Sequence, residues 1–429
     1  MSARPAPRTP RRDPAEVERW LAVAPVEPLT DAELPRVSIV ILNWNGRHHL
    51  GPCFETLRAL DYPADRFEVI LVDNGSDDGS QAEIRAKYGW VRLVENARNI
   101  GFAAGCNQGA REAQSGPLKP TQLVFLNNDI HVDKGFLRAL VAPVTRGVAI
   151  AATAKMFSWD GKVLNSAAGG MNFHGIGLQR GYLAEPAPEF DTHRKSLFAC
   201  GGAMSMDLDA FFAVGGFDEE FFAYYEDVDL GWRTWVHGYE VHYEPRAICY
   251  HHHSSTSRRL PVERLRLIQI RNPLLACVKN YDDANFKRVL PAMLALATRR
   301  ALVCSGLSDQ RAYRIEELET LGGAGPVASF WGRFKRKLPD KDVINKVAIA
   351  DLIGINDLLG RWDHWMERRR QVQAGRRRSD DDILPLFLRP HWCIEDEGGY
   401  RELQAGITQF MGLDELFDGL TTLTQDPPR

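Results

Sequence analysis

The sequence has little that would cross-link the chain or attract it to a polyanion. Its seven cysteines are scattered through 429 residues, odd in number and never arranged as CxxC. Such usage favours a reducing compartment and argues against a structural zinc site. A net charge of −3 gives no global attraction to nucleic acid, so no nucleic-acid partner is expected and any anionic ligand must be held by a local patch.

Long apolar runs and a secretory leader are also missing. No run of 18 or more apolar residues occurs, so no membrane-spanning helix is predicted. Residues 1–34 are rich in Pro, Arg, Ala and Glu without the apolar core of a secretory signal, and we predict a disordered tail there. A cytoplasmic location is therefore expected.

From residue 37 onward the chain alternates strand and helix patterns. This rhythm predicts an α/β fold, a parallel sheet wrapped by helices with ligands at the carboxyl ends of the strands. Residues 35–260 are expected to form this domain, with irregular loops and short strands over 153–196, and residues 261–429 a mainly helical C-terminal region. The first strand patterns are 37–42, 67–72, 91–94 and 122–126, and the first helix patterns are 50–60, 80–88 and 101–112.

Polar side chains follow two of these strands. Asn43 and Asn45 end the first strand, and Asp73 and Asn74 follow the second in a glycine-rich turn. A carboxylate there can accept a hydrogen bond from the N3–H of a pyrimidine, and glycines let the backbone approach a flat base. The alternative is an Asp/Asn/Gly turn that needs no ligand.

Arg98 and Asn99 lie just before the helix pattern 101–112. The N–H groups and dipole at a helix N-terminus attract phosphate, which predicts diphosphate binding. The segment has neither GxGxxG nor a Walker lysine, so neither a dinucleotide-binding enzyme nor an NTPase is supported. The alternative is a glycine-loosened helix that packs tightly on the sheet.

A metal site is predicted where the fourth strand ends in Asn127, Asn128 and Asp129. Mg²⁺ and Mn²⁺ prefer oxygen donors and are commonly held by one or two carboxylates together with substrate phosphates. His251 follows a later strand pattern and could complete the site beside Asp129. Solvated loop histidines are the alternative.

Three carboxylates, Glu226, Asp227 and Asp229, fall in the first turn of a predicted helix. Favourable interaction with the helix dipole, about 0.3–1 kcal/mol each, would explain them without chemistry. The functional alternative is that one of them removes a proton from an acceptor hydroxyl. Asp227 and Asp229 point to different faces, so only one is expected to face the site.

Together these motifs resemble the family 2 inverting glycosyltransferases with the GT-A fold, in particular the rhamnosyltransferase-like branch. The resemblance spans about residues 37–280 and is carried by segments 37–45, 71–80, 99–107, 125–129 and 215–233. It implies that Asp227 is the catalytic base and that Asp129 and His251 ligate Mg²⁺ or Mn²⁺. The donor-binding residues it implies are Asn43, Asn45, Asp73, Asn74, Arg98, Asn99, Asn127, Asn128 and Gly202.

One residue departs from the family pattern. Asn127 stands where many members carry Asp in the DxD motif, which leaves an oxygen donor but one charge fewer for the metal. A non-catalytic nucleotide- or glycan-binding module is the alternative that this departure supports. A sugar nucleotidyltransferase is a second alternative, but its glycine-rich N-terminal triphosphate loop is missing.

The resemblance implies transfer of a sugar from a nucleotide diphosphate donor to a hydroxyl of a glycan or lipid-linked acceptor in polysaccharide biosynthesis for the cell envelope. dTDP-rhamnose or a UDP-sugar is the expected donor. The arginine-bearing stretch 260–303 adds a hypothesis of peripheral contact with the inner face of the plasma membrane. An internally packed helical cap is the alternative.

Overall fold

A computed structural model describes residues 12–252, 261–305 and 346–420. Its centre is a ten-stranded mixed sheet, accompanied by a separate two-stranded hairpin. The strands are β1 (Val37–Asn43), β2 (Phe67–Asp73), β3 (Arg92–Glu95), β4 (Gln122–Asn127), β5 (Ile130–Val132), β6 (Ala151–Ser158), β7 (Leu164–Ser166), β8 (Gly169–Met171), β9 (Gly177–Gln179), β10 (Arg194–Lys195), β11 (Ala203–Asp207) and β12 (Val241–His251).

Helices cover both faces of the sheet and form most of the described C-terminal part. They are α1 (Pro14–Leu21), α2 (Arg47–Arg58), α3 (Ser80–Lys87), α4 (Phe102–Ser115), α5 (Phe136–Thr145), α6 (Leu208–Ala213), α7 (Glu226–Val236), α8 (Val262–Asn280), α9 (Asp283–Ser305), α10 (Lys346–Gly360), α11 (Trp362–Ala374), α12 (Asp380–Ile383), α13 (Gly398–Phe410) and α14 (Leu413–Leu416). No helix among the described residues is both long and apolar enough to cross a membrane.

The parallel half of the sheet has the order β4-β1-β2-β3. β1 is buried along almost its whole length, as expected of a strand covered on both faces. The register pairs Asn43 with Asp73 and Leu42 with Asn127, so three strands end side by side. The predicted parallel α/β arrangement is confirmed, and its carboxyl edge gathers the predicted polar residues.

The other half of the sheet differs from the irregular structure expected over 153–196. β6 is an eight-residue strand of the main sheet, parallel to β12 and antiparallel to β11. β11 in turn runs antiparallel to β4. Alanines 151, 152 and 154 are buried on β6, and such small residues give only a weak strand signal in the sequence.

The N-terminal region differs from the predicted tail between residues 12 and 34. α1 begins after Asp13, whose side chain accepts a hydrogen bond from the N–H of Ala15 at 2.9 Å. Val17 and Leu21, one turn apart, are buried in the main core. The tail prediction considered overall composition, whereas two apolar residues at helical spacing are enough to dock this segment.

The helices of the C-terminal part pack on one another and on the sheet domain. α10 packs on α8 and α9, α11 packs on α8, and α8 packs on α7. The mainly helical C-terminal extension is thus confirmed for the described residues. Because α7 carries the three predicted carboxylates, these helices lie close to the candidate site.

Candidate active site

Asn43 and Asp73, at adjacent strand ends, are joined by their side chains. Asn43 Nδ2 donates to Asp73 Oδ2 at 2.8 Å, and Asp73 Oδ1 accepts from Gln81 Nε2 at 2.7 Å and from the N–H of Ser76 at 2.9 Å. Asn43 and Asp73 are fully buried. Asp73 therefore orders the turn after β2, and its contact with a nucleotide base stays a prediction.

Asn45 shapes the neighbouring turn. Its φ of 53° is left-handed, its N–H donates to Ser76 Oγ at 2.8 Å, and its Oδ1 accepts from the N–H of Asp77 at 2.8 Å. Asn45 and Asp77 border a cleft of about 610 Å³ between the N-terminal ends of α2 and α3, which is also lined by Arg47 and His48. The turns after β1 and β2 thus form one polar surface.

Asn74 and Asn99 lie on the other side of that surface. Asn74 Nδ2 donates to the carbonyl of Gly101 at 3.0 Å and to Asn99 Oδ1 at 3.2 Å, and Asn99 Oδ1 also accepts from the N–H of Gly101 at 2.9 Å. Arg98 is exposed. A Cβ on Gly75, whose φ is +73°, would lie 2.8 Å from the Arg98 Cα, so glycine is needed for this close approach.

The N-terminus of α4 is not an open phosphate site, and the prediction is wrong for two of its donors. The N–H groups of Phe102 and Ala103 donate to the carbonyl of Phe222 at 2.6 and 3.2 Å. A distant loop therefore caps the helix, a contact that local sequence does not reveal. The roles predicted for Arg98 and Asn99 then depend on their side chains and stay predictions.

The end of β4 is tied to both of its neighbours. Asn128 Nδ2 donates to Asn43 Oδ1 at 2.7 Å, and the N–H of Asn127 donates to the carbonyl of Gly202 at 2.9 Å. Asn128 is buried, whereas Asn127 is half-buried. Asn127 is therefore better exposed to a ligand than Asn128.

Asp129 and His251 are brought together by the pairing of β5 with β12. Asp129 Oδ1 and His251 Nε2 are 3.2 Å apart. Two donors about 2.1 Å from one ion in neighbouring octahedral positions lie about 3.0 Å apart, so the separation is compatible with a shared divalent cation as well as with the direct Asp–His contact. No group of three or more His, Cys, Asp or Glu side chains suited to a metal occurs among the described residues. A cation here would take its remaining ligands from substrate or water.

Asp227 faces the loop that precedes β11. Its Oδ2 accepts from the N–H of Gly201 at 2.9 Å and its Oδ1 from the N–H of Val228 at 2.8 Å. Burial raises the pKa of Asp227 above its ordinary value despite these hydrogen bonds. The carboxylate lies beside the same loop that contacts Asn127 through Gly202, and a raised pKa is typical of a general base.

The two neighbouring carboxylates have different surroundings. Asp229 is fully buried and pairs with Arg233 and Lys279, each at 2.8 Å, so it is committed to structure. Glu226 is buried, and burial followed by the charge of Asp227 raises its pKa well above the ordinary value. Its Oε2 has no hydrogen-bond partner in the described part of the chain. Of the three, Asp227 is the carboxylate best placed for proton transfer.

The sequence reasoning missed the loop before Asp227. Phe222, Tyr224 and Tyr225 have φ values of 62°, 65° and 67°, a left-handed conformation that is uncommon without glycine. Their residue types predict no such turn. The only local signal is the run of aromatic residues between two acidic clusters, which does not specify a backbone conformation.

These features fit the expected GT-A arrangement, a mixed sheet whose polar strand ends lie close to two adjacent carboxylates. Residues 38–211 match the model of glycosyl transferase family 2, and residues 181–255 match a model described as the N-terminal domain of galactosyltransferase. The region that contains β1 to β11 is thus similar to the family 2 glycosyltransferases.

Curated relatives carry names consistent with that family. The N-acetylglucosaminyl-diphospho-decaprenol L-rhamnosyltransferase of Mycobacterium tuberculosis is 29% identical over 242 residues, which cover 50% of this chain and 76% of the relative. The O-antigen biosynthesis protein RfbC of Myxococcus xanthus is 29% identical over 232 residues, 52% of this chain and 18% of that protein. The solved structure of GalNAc-T7 with UDP, GalNAc and Mn²⁺ matches 67% of this chain and 53% of its own, at 17% identity and a TM-score of 0.49.

Proposed function

We propose that this protein is an inverting, metal-assisted glycosyltransferase that moves a sugar from a nucleotide diphosphate donor to a hydroxyl of a glycan or lipid-linked acceptor. The match of residues 38–211 to the family 2 model supports sugar transfer. The mycobacterial relative is named for L-rhamnose transfer to a polyprenyl diphosphate sugar, which supports dTDP-rhamnose as the first donor to test. A UDP-sugar is the alternative.

The observation that carries the proposal is the placement of Asp227. Its carboxylate is held by the N–H of Gly201, while the carbonyl of the adjacent Gly202 is bonded to Asn127 at the end of β4. Asp227 removes the proton of the acceptor hydroxyl as that oxygen bonds to the anomeric carbon. The bond from the anomeric carbon to the diphosphate breaks at the same time, so the nucleoside diphosphate departs and the anomeric configuration inverts.

Asp129 and His251 would hold Mg²⁺ or Mn²⁺. An ion held there would neutralise the charge that develops on the departing diphosphate. Asn127 offers a neutral oxygen at the same strand end. Because the protein provides few charged ligands, the affinity for the ion depends on the donor diphosphate.

The remaining predicted residues form the donor surface. The turns after β1 and β2 hold the nucleotide, Arg98 and Asn99 lie at its ribose or diphosphate, and Gly202 lies under the sugar. Residues 35–260 carry the donor surface and Asp227, and the helical region assigned to residues 261–429 follows them. The nucleotide-contacting residues are Asn43, Asn45, Asp73, Asn74 and Asn128.

Contact with a membrane surface is proposed for the helical region. The arginines of this region support membrane contact less than the sequence predicts. Four of them pair with carboxylates of the same region, and two of these four share Asp351: the pairs are Arg266–Asp351, Arg271–Asp357, Arg299–Glu397 and Arg300–Asp351. One face of α10 instead exposes apolar side chains at helical spacing. These are Ile349, Leu352, Ile353 and Leu359, each 40–53% exposed.

The test is transfer by the purified chain. A panel of dTDP- and UDP-sugars is offered with Mn²⁺ and a polyprenyl diphosphate N-acetylglucosamine acceptor, and the anomeric configuration of the product is read by NMR. Product of inverted configuration supports the proposal. Nucleotide binding without transfer to any acceptor or to water would favour the non-catalytic module, and a product of retained configuration would exclude Asp227 as the base of a single displacement.

A further inference from the structure

The segment between Asp218 and Asp229 carries the proposed base on a strained backbone. Three of its non-glycine residues, Phe222, Tyr224 and Tyr225, have left-handed φ values. Such conformations each cost on the order of 1–3 kcal/mol and persist only where surrounding groups enforce them. Something outside the segment must therefore hold it.

Asn272, on α8, makes the most concentrated set of contacts to this segment. Its Nδ2 donates to the carbonyls of Phe221 at 2.9 Å, Ala223 at 3.0 Å and Tyr224 at 2.8 Å, and Asn272 is fully buried. A side-chain amide has only two N–H groups, so the three carbonyls share them. They converge on one nitrogen because the turn is folded tightly around it.

The same helix fixes both ends of the segment. Lys279 Nζ lies 2.6 Å from Asp218 Oδ2 and 2.8 Å from Asp229 Oδ2, and Asn280 Nδ2 donates to Asp229 Oδ1 at 2.9 Å. These two residues lie two helical turns beyond Asn272, so they share its face of α8. The ends are held by ion pairs and the middle by Asn272.

A further residue of α8, the N-cap residue of α11 and a residue within α11 add an outer layer of contacts. Arg271 Nη1 donates to the carbonyl of Glu220 at 2.9 Å, Arg361 binds the Glu220 carboxylate at 2.7 Å, and Arg368 binds Asp218 at 2.8 Å. All of these donors lie beyond residue 255, where the family matches end. The helical extension thus supplies groups that the matched family region does not contain.

We propose that Asn272 is a positioning residue, which holds the 221–224 turn so that Asp227 stays against Gly201 and the acceptor hydroxyl. The inference rests on the proposed function, in which Asp227 is the base. Removal of the amide leaves three carbonyls without their donor, and the strained turn relaxes towards ordinary φ values. Asp227, three residues further on, then moves from its hydrogen bond with the N–H of Gly201.

The experiment compares Asn272→Ala with Asn285→Ala in the full chain. Asn285 is also a buried asparagine of the helical region, and it bonds Asp380 at 3.0 Å. Transfer kcat, the Kd of the nucleoside diphosphate and the thermal midpoint are measured for both. We expect Asn272→Ala to lower kcat at least tenfold with the Kd changed less than twofold, and Asn285→Ala to leave both near the wild-type values.

A double-mutant cycle distinguishes positioning from loss of stability. In an Asp227→Asn background, Asn272→Ala is expected to lower kcat less than twofold further, because the base that it positions is already gone. Additive losses, or equal losses in the two asparagine variants, would overturn the proposal. Full activity of Asp227→Asn alone would instead contradict the proposed function. If Asn272→Ala does not fold, Asn272→Ser, which keeps one donor, is expected to give the same separation of kcat from Kd.

Discussion

Replacement of Asp227 by Asn tests the chemistry most directly. Asn has nearly the same shape but cannot accept a proton. Its Oδ1 can keep one of the two hydrogen bonds that Asp227 receives, from Gly201 or from Val228. The amide nitrogen then faces the other N–H, which is left without an acceptor at a cost of about 1–3 kcal/mol. The variant should therefore fold but be somewhat less stable.

The effect on rate should be much larger than the effect on stability. A positioned general base contributes about 10²–10⁴-fold, so kcat should fall by that factor while nucleotide affinity stays within about threefold. Transfer is followed by release of nucleoside diphosphate at saturating donor and acceptor. Binding of the nucleoside diphosphate is measured separately by calorimetry, and folding by circular dichroism.

Glu226→Gln is the matched control. Burial and the adjacent Asp227 charge favour the neutral form of Glu226 by raising its pKa, and Gln mimics that form. This variant should keep kcat within about threefold. A dead Glu226→Gln together with a fully active Asp227→Asn would refute the assignment of the base.

The pH dependence follows from the raised pKa of Asp227. The rate requires the ionised carboxylate, so kcat should fall as pH drops through a pKa above the usual Asp range. Burial disfavours the ionised form of Asp227 in the folded state. The free energy of unfolding should therefore decrease as the pH rises from the pKa of this group in the unfolded chain to its higher pKa in the folded protein. Asp227→Asn should remove both effects. Because Glu226 is adjacent, the profile reports apparent values for the pair.

Four further outcomes are expected. Asp129→Ala should weaken nucleoside diphosphate binding in Mn²⁺ but not in chelator, and full turnover by metal-stripped protein would contradict a metal requirement. Asp73→Ala should weaken nucleotide binding by about 1.5–3 kcal/mol, and unchanged Kd values for both UDP and dTDP would leave the turn a purely structural role. Lys279→Ala should destabilise the fold by about 3–5 kcal/mol in denaturant titrations, since it leaves two buried carboxylates without their shared partner, and a loss below 1 kcal/mol would mean that water replaces it. The chain should co-sediment with anionic vesicles at low salt, and the double variant Leu352→Asp/Ile353→Asp should lose that binding. Equal sedimentation of the wild-type chain and the double variant would exclude α10 as the membrane contact.

The sequence predicted features that depend on local periodicity. Buried strands such as β1 and β2 are continuous apolar runs, and their polar ends follow directly from the point where the run stops. The confirmed parallel sheet then brings Asn43, Asp73 and Asn127 to one edge. Residue roles at that edge stay predictions, because no ligand contact can be read from spacing alone.

Features that depend on distant contacts were not predictable in this way. Ser80 followed by Glu83 three residues later is the sequence pattern of a capping box at the start of α3. The N-cap is instead Gly79, with φ 83°, and Glu83 binds Arg47 and Lys87. Local residue types permitted both arrangements, and long-range charge pairing decided between them. The capping of α4 by the carbonyl of Phe222 has the same origin.

The contacts of Lys279 bear on where the catalytic unit ends. The predicted limit at residue 260 separates this lysine from Asp218 and Asp229. All three side chains are nevertheless at most 2% exposed, and Lys279 Nζ lies 2.6 Å from Asp218 and 2.8 Å from Asp229. Buried charges are stable only when their partners are present, so neither side of that limit can keep its native packing alone. The helices after residue 260 are therefore part of the folded unit that presents Asp227. Sequence motifs of the sheet domain alone do not determine the geometry of the site, because side chains of these helices hold the segment that carries Asp227.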